Sequence, residues 1–255
     1  MQLGPNTIEL IQPDDGAGRP IPLDSRSNDV WFQHIAIVVR DIDTAYARLR
    51  EHDVQHVSSM PQTLPDTIPG AAGIKAFYFR DTDGHNLELI QFPADKGDPI
   101  WQQQSNVHWS TDSLFLGIDH TAIAVSSTKQ SLAFYRDLLG LTVAGTSENF
   151  GPEQERLNMV FGAHLEITGL KARQGIGLEF LRYLSPPGGR PMPEDTDISD
   201  LWAWQTHMRV DDLDALLAAL PADTPRSAIR VDGSHRMILI RDPDDHILRI
   251  TESEA

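Results

Sequence analysis

Apolar residues along this chain follow two rhythms. In WFQHIAIVV, residues 31–39, and GIDHTAIAV, residues 117–125, apolar positions recur every second residue, the mark of strands. Each run is followed by apolar positions three and four apart: IDTAYARLREH after the first, and STKQSLAFYRDLLG, with Leu132, Tyr135, Leu138 and Leu139, after the second. These predict helices. Strand-like runs close both series: IKAFYFR and LELIQF in the first, and stretches around Val143, Met159 to Thr168 and Ile176 to Leu184 in the second. The order recurs from LWAWQTHMRV (Leu201 to Val210) through DLDALLAAL to MILIR and ILRIT. Three βαβββ modules are predicted, and TIEL around Glu9 reads as the last strand of a fourth. The predicted class is α+β, tandem βαβββ modules forming cupped mixed sheets. Asp41 and Asp43, like Asp211 and Asp214, fall where helix caps and first-turn charges belong.

A duplication sharpens this picture. GRPIPLDSRSNDVW, from Gly18 to Trp31, returns as GRPMPEDTDISDLW, from Gly189 to Trp202, at an offset of 171 residues. RDTDGHNLELI (Arg80 to Ile90) likewise matches RDPDDHILRI (Arg241 to Ile250), which sets Arg249 opposite Glu88. On this alignment residues 1–92 form a first unit lacking its opening half, 93–116 a linker, and 117–255 a complete second unit. Trp101 and Trp109 are expected to anchor the linker on the domains. The module from Trp31 to Phe92 should then leave Ile11, Ile90 and Phe92 uncovered, which predicts a homo-oligomer whose interface involves this module, with the first cup's missing ligand supplied in trans or by water.

Composition narrows the chemistry. With 21 basic against 37 acidic residues the net charge is −16, which argues against a nucleic-acid partner. The absence of cysteine removes thiolate metal sites, disulfides and cysteine nucleophiles, leaving histidine and carboxylate as metal ligands. No apolar run reaches the length of a membrane span and MQLGPNTIEL lacks signal-peptide features, so no membrane partner and a cytoplasmic location are expected.

DHTAIAV followed by SLAFYRDLLGL (Ser131 to Leu141), together with FRDTDGHNLELIQF (Phe79 to Phe92), resembles the vicinal oxygen chelate superfamily of glyoxalases, extradiol dioxygenases, epimerases and bleomycin-resistance proteins. The resemblance implies cups built from paired modules, with metal ligands on the first and last strand of each. By position it implies Glu9, His34 and Glu88 in the first unit and His120 and Glu179 in the second, with Gln205 and Arg249 standing where His34 and Glu88 align.

Strand alternation supports this placement. Ile35, Ile37 and Val39 make a helix-facing side that leaves His34, Ala36 and Val38 for the cup, and in the same way His120, Ala122 and Ala124 face inward. An ordinary core histidine bonded to a neighbour is the alternative for each imidazole. Glu88 lies among aliphatic residues, where an ionised carboxylate is costly without a partner, so it is a candidate ligand or catalytic base. In the second unit Arg249 is expected to pair with Glu179 in place of an ion, and Gln205, His207, Arg209 and Arg249 to bind an anionic substrate. The expected cofactor is a divalent metal ion, iron, nickel, zinc or manganese. The reading is a glyoxalase-like lyase or isomerase acting on a small oxygenated molecule. An extradiol-type dioxygenase and a metal-free small-molecule binder are the alternatives.

Overall fold

The computed structural model describes residues 1–14, 16, 18–187 and 189–252. The first module comprises β1 (Gln33–Val39), α1 (Ile42–Arg50), the short strand Gln55–His56, β2 (Lys75–Arg80) and β3 (Asn86–Gln91). The second comprises β4 (Phe115–Ala124), α2 (Thr128–Leu132) continuing as a π-turn over Ala133–Leu138, β5 (Thr142–Phe150), α3 (Pro152–Asn158), β6 (His164–Lys171) and β7 (Gly177–Ser185). The third comprises β8 (Gln205–Val210), α4 (Leu213–Ala219), β9 (Arg230–Asp232), β10 (His235–Arg241) and β11 (Ile247–Glu252). All three expected modules form, in an α+β fold of cupped sheets. Asp41 and Asp212 cap α1 and α4 by accepting bonds from the N–H groups of Thr44 and Ala215. Helix α3 was not anticipated, because PEQERLN carries a single aliphatic residue, Leu157. It starts on Pro152, has Glu153 and Glu155 in its first turn, and buries Gln154, Leu157 and Asn158.

The modules combine differently from the expected units. One nine-stranded sheet carries the first two modules, in the order Gln55–His56, β2, β3, β1, β4, β7, β6, β5, with Gln62–Thr63 added beside β2. The third module has its own sheet, β8-β11-β10-β9. Residues 117–255 therefore do not share one sheet; their first half joins the module at 33–91 across the 93–116 segment. The reason lies in the strands themselves. β4 is buried on both faces over almost its whole length, so it needs neighbours on either side, and it pairs antiparallel with β1 and parallel with β7. β8, QTHMRV, is half-exposed and polar, which suits an edge.

The segment between the modules is part of the core. Trp101 and Trp109 stack at 5.8 Å and pack on Ala36, Val38, Ile90 and Leu116, closing one end of the cup. Ile90 is thereby buried and Phe92 partly covered, and of the three residues expected to be bare only Ile11 is exposed. No open edge is left beside β1, because β4 pairs with it there. The TIEL strand also does not form: Ile8 to Leu10 lie outside any strand, after a hairpin pairing Gln2–Leu3 with Asn6–Thr7. Gly4 turns this hairpin at φ +55, where a Cβ would meet the Leu116 carbonyl oxygen at 2.0 Å.

The duplicated GRP segments form a reciprocal clasp. Arg190 donates from Nε and Nη2 to the two oxygens of Asp29 at 3.0 and 2.8 Å and lies 4.7 Å over Trp31. Arg19 does the same to Asp200, at 3.1 and 2.7 Å, and lies 4.9 Å over Trp202. Each tryptophan N–H is held within its own copy, by Ser25 and by Thr196. The repetition in sequence is thus a repetition of mutual contact. Arg190→Ala would leave the buried Asp29 with only the N–H groups of Arg26 and residue 190. It should cost about 2–3 kcal/mol, and urea unfolding showing a loss below about 0.5 kcal/mol would contradict the clasp. Asp200 is held below the usual carboxylate range by its bond from Arg19. Its contribution is therefore complete above the unfolded carboxylate pKa of about 4 and is lost as pH falls through the folded value.

Candidate metal centre

The central β1–β4 pairing brings two module sites together. His34 lies opposite Ala122 and Ala36 opposite His120. Parallel pairing adds Glu88 beside Ala36 on β3 and Glu179 beside Ala122 on β7. The small alanines leave room between histidine and carboxylate on each row. His34 Nε2 lies 3.0 Å from Glu88 Oε2, while His120 Nε2 lies 3.7 Å from the same oxygen and 3.8 Å from Glu179 Oε1. One ligand atom each from His34, Glu88 and His120 falls within a 4.8 Å group, and all three residues are buried. Glu179 stands at the rim of this group with its side chain a quarter exposed.

The donors are arranged for something other than each other. Neither ring nitrogen of His34, nor His120 Nε2, has a hydrogen-bond partner despite complete burial of the atoms. The 3.0 Å approach of Glu88 misses the direction that a ring N–H would require. Three orphaned imidazole nitrogens beside two carboxylates fit a divalent cation, and such a set of nitrogen and oxygen ligands suits iron, nickel, zinc or manganese. Electrostatics points the same way. Burial alone would lower the His120 pKa, but the charges of Glu179, Asp119 and Glu88 outweigh it and raise it to about 10. In the metal-free protein a proton on His120 therefore supplies the positive charge the site attracts. Glu179 is pushed above the usual carboxylate range by burial, with His120 opposing and Glu88 adding to the shift.

His34, Glu88, His120 and Glu179 thus meet in one cup, whereas the sequence alignment divided them between two. Glu9 is elsewhere, paired with Arg249. That contact corrects the expected Arg249–Glu179 pair: Arg249 does occupy the position equivalent to Glu88, but on the separate four-stranded sheet. Gln205, His207 and Arg209 accompany it there on β8, with His207 bonded to Thr251 at 2.7 Å. They do not line the His34 cup. Tyr78, not singled out from sequence, lies opposite Glu88 with its ring 4.9 Å from that of His34. Burial, then the charges of Glu88 and Glu179, hold its pKa well above the phenol value, so it remains a neutral donor. Its signal was the alternation in KAFYFR, readable only once its register with β3 is known.

Comparison with known proteins agrees with this fold. The profile of the Glyoxalase/Bleomycin resistance protein/Dioxygenase superfamily matches residues 1–89 and 117–250. A 2-epi-5-epi-valiolone epimerase from Actinomyces sp. is 37% identical over 107 residues, which are 40% of this chain and 54% of the relative, so the match spans about half of that protein's length. Among solved structures, glyoxalase I from Zea mays superposes with a TM-score of 0.56 at 13% identity, over 86% of this chain and 66% of that one. A glyoxalase family protein from Bacillus cereus gives 0.51 at 19% identity, over 58% of this chain and all of its own. Both likenesses are of fold. Among the described residues, no helix is long and apolar enough to cross a membrane.

Proposed function

The chain belongs to the Glyoxalase/Bleomycin resistance protein/Dioxygenase superfamily, and within it we propose that it is a metal-dependent isomerase of glyoxalase-like chemistry, moving a proton on a small oxygenated substrate. The observation that carries this reading is the convergence of His34, Glu88 and His120, with Glu179 beside them, around unpartnered imidazole nitrogens. A bound divalent ion would hold two adjacent substrate oxygens and polarise a carbonyl, acidifying the neighbouring C–H. Glu88, close to both histidines, belongs to the ligand set rather than acting as the base. Glu179, more open and less tightly engaged, takes the proton on Oε1 and returns it; its raised pKa suits a group that must both accept and donate. The Tyr78 hydroxyl donates to a substrate oxygen, and the tryptophans of the linker exclude water from one end of the cup. The likeness to an epimerase favours isomerisation over lyase chemistry, and a single base suits it where the proton moves between neighbouring carbons on one face of an enediol.

A second reading, an extradiol-type dioxygenase, is favoured by one observation: His34, His120 and Glu88 are two histidines and one carboxylate, the set used by non-haem iron. The test takes the chain reconstituted with Mn(II), Ni(II), Zn(II) or Fe(II) and follows deuterium uptake from D2O into a panel of α-hydroxy ketones, and oxygen consumption with catechols. Deuterium uptake that falls about 100-fold or more in Glu179→Gln, with metal retained, supports the isomerase. Oxygen consumption without exchange supports the dioxygenase, and ligand binding without any bound metal the resistance-type binder. We further assign the chain to the cytoplasm as a homo-oligomer. The open edge strand β8 supports the assembly, and a monodisperse monomer in light scattering would refute it.

A further inference from the structure

The two histidines of the cup are supported unequally. His120 Nδ1 lies 3.0 Å from Asp119 Oδ2, and the other oxygen of that carboxylate, Oδ1, accepts the indole N–H of Trp101 at 2.7 Å. Trp101 is buried on the linker, stacked on Trp109, and reaches Asp119 from outside the strand that carries both acid and imidazole. The carboxylate is thus fixed from two directions. With Nδ1–H directed to Asp119, Nε2 is turned toward Glu88 and Glu179, where no protein group bonds it, and a metal ion that displaced its proton would meet the lone pair there. His34 has no such support: its Nδ1 is buried and unpartnered.

We propose that Asp119 and Trp101 are positioning residues, a carboxylate and an indole that set the tautomer and ring orientation of His120, so that the inter-module linker tunes metal affinity in the cup. The inference rests on reading His120 as a metal ligand. Carboxylates bonded to the far nitrogen of a ligating histidine orient the ring and raise its basicity, and removing them costs about 10–100-fold in metal affinity. Here the carboxylate has two donors to satisfy. An asparagine in its place offers a single acceptor oxygen, for which Trp101 and His120 compete. Phenylalanine at 101 removes the competing donor while keeping most of the packing.

The experiment measures Co(II) and Zn(II) affinity of the full chain by calorimetric titration and the Co(II) ligand-field spectrum, with melting of the metal-free protein as the check on folding. Asp119→Asn should weaken affinity by about 10–100-fold and alter the Co(II) spectrum, and Trp101→Phe should weaken it by less than about tenfold. The double variant should bind no worse than Asp119→Asn alone, because the freed amide oxygen turns to His120. Where Asp119→Asn fails to fold, Trp101→Phe alone decides: unchanged affinity and spectrum overturn the proposal. Additive losses in the double variant, or affinity within about twofold of the parent in a folded Asp119→Asn protein, overturn it as well. Glu88→Gln separates the two levels. If it abolishes binding while Asp119→Asn does not weaken it, positioning fails and the metal centre stands; if neither changes binding, the metal reading itself fails.

Discussion

Glu88→Gln should empty the metal centre, lowering affinity for a divalent ion by at least about 100-fold, since loss of outer-shell support alone costs 10–100-fold. Glu88 is the carboxylate that approaches both imidazoles, and glutamine keeps the shape while removing the charge. The effect on stability should depend on the metal. In saturating Zn(II) the variant should melt lower, because an ion that binds only the folded chain adds its binding free energy to stability. Without metal the change in melting should be much smaller, since the variant loses the attraction of Glu88 for protonated His120 but also its repulsion of Glu179. Metal content by elemental analysis and paired melting curves test both halves. Unchanged content and melting in both states would remove Glu88 from the ligand set.

Asp242→Asn is expected to be the most damaging change outside the cup, at about 3–5 kcal/mol. Asp242 accepts the Tyr135 hydroxyl at 3.0 Å and His246 Nδ1 at 2.9 Å, while its other oxygen takes the backbone N–H groups of Asp244 and His246. His246 Nε2 meets the Val30 carbonyl oxygen at 2.8 Å. Both ring nitrogens face acceptors, so both donate and the buried ring is an imidazolium. Burial opposes that charge, but Asp242 outweighs it and raises the His246 pKa. A raised histidine pKa gives stability that is complete below the unfolded value, about 6.5, and is lost as pH rises through the folded one. The parent should therefore weaken on going from neutral to mildly alkaline pH, and the variant should lose that slope. Guanidinium unfolding across this range is the measurement; a cost below about 1 kcal/mol with the slope intact would disprove the assignment. The chain Tyr135–Asp242–His246–Val30 joins the second and third modules to the start of the first, which is why so large an effect is expected from a turn.

Much of the cup was legible because its parts are local. His34 faces inward by alternation with Ile35 and Ile37, and Glu88 by its place among aliphatic residues, and both facts belong to strands whose faces the sequence states outright. What the duplication concealed was which modules pair. Similarity of Gly18–Trp31 to Gly189–Trp202 is a likeness of segments outside the sheets, whereas sheet neighbours are chosen by edges and buried faces. The decisive signal was present in FLGIDHTAIA, apolar on both sides and thus a central strand, against QTHMRV, which can tolerate water. Asp119 precedes His120 in the DH dipeptide, but its bonds to that ring and to Trp101 emerge only from the structure, the second because it depends on how the linker folds back, a long-range matter with no periodic signature.

The GRP clasp has a kinetic consequence. Its two arginine–aspartate pairs join positions 181 and 161 residues apart, so neither can close until the sheets that carry their ends are in place. Contacts of such sequence separation come late, after the rate-limiting ensemble has organised its strands. Weakening them should leave the refolding rate nearly unchanged and appear almost entirely as faster unfolding. The duplicated segment would then govern how long the native chain persists, and have little influence on how quickly it is reached.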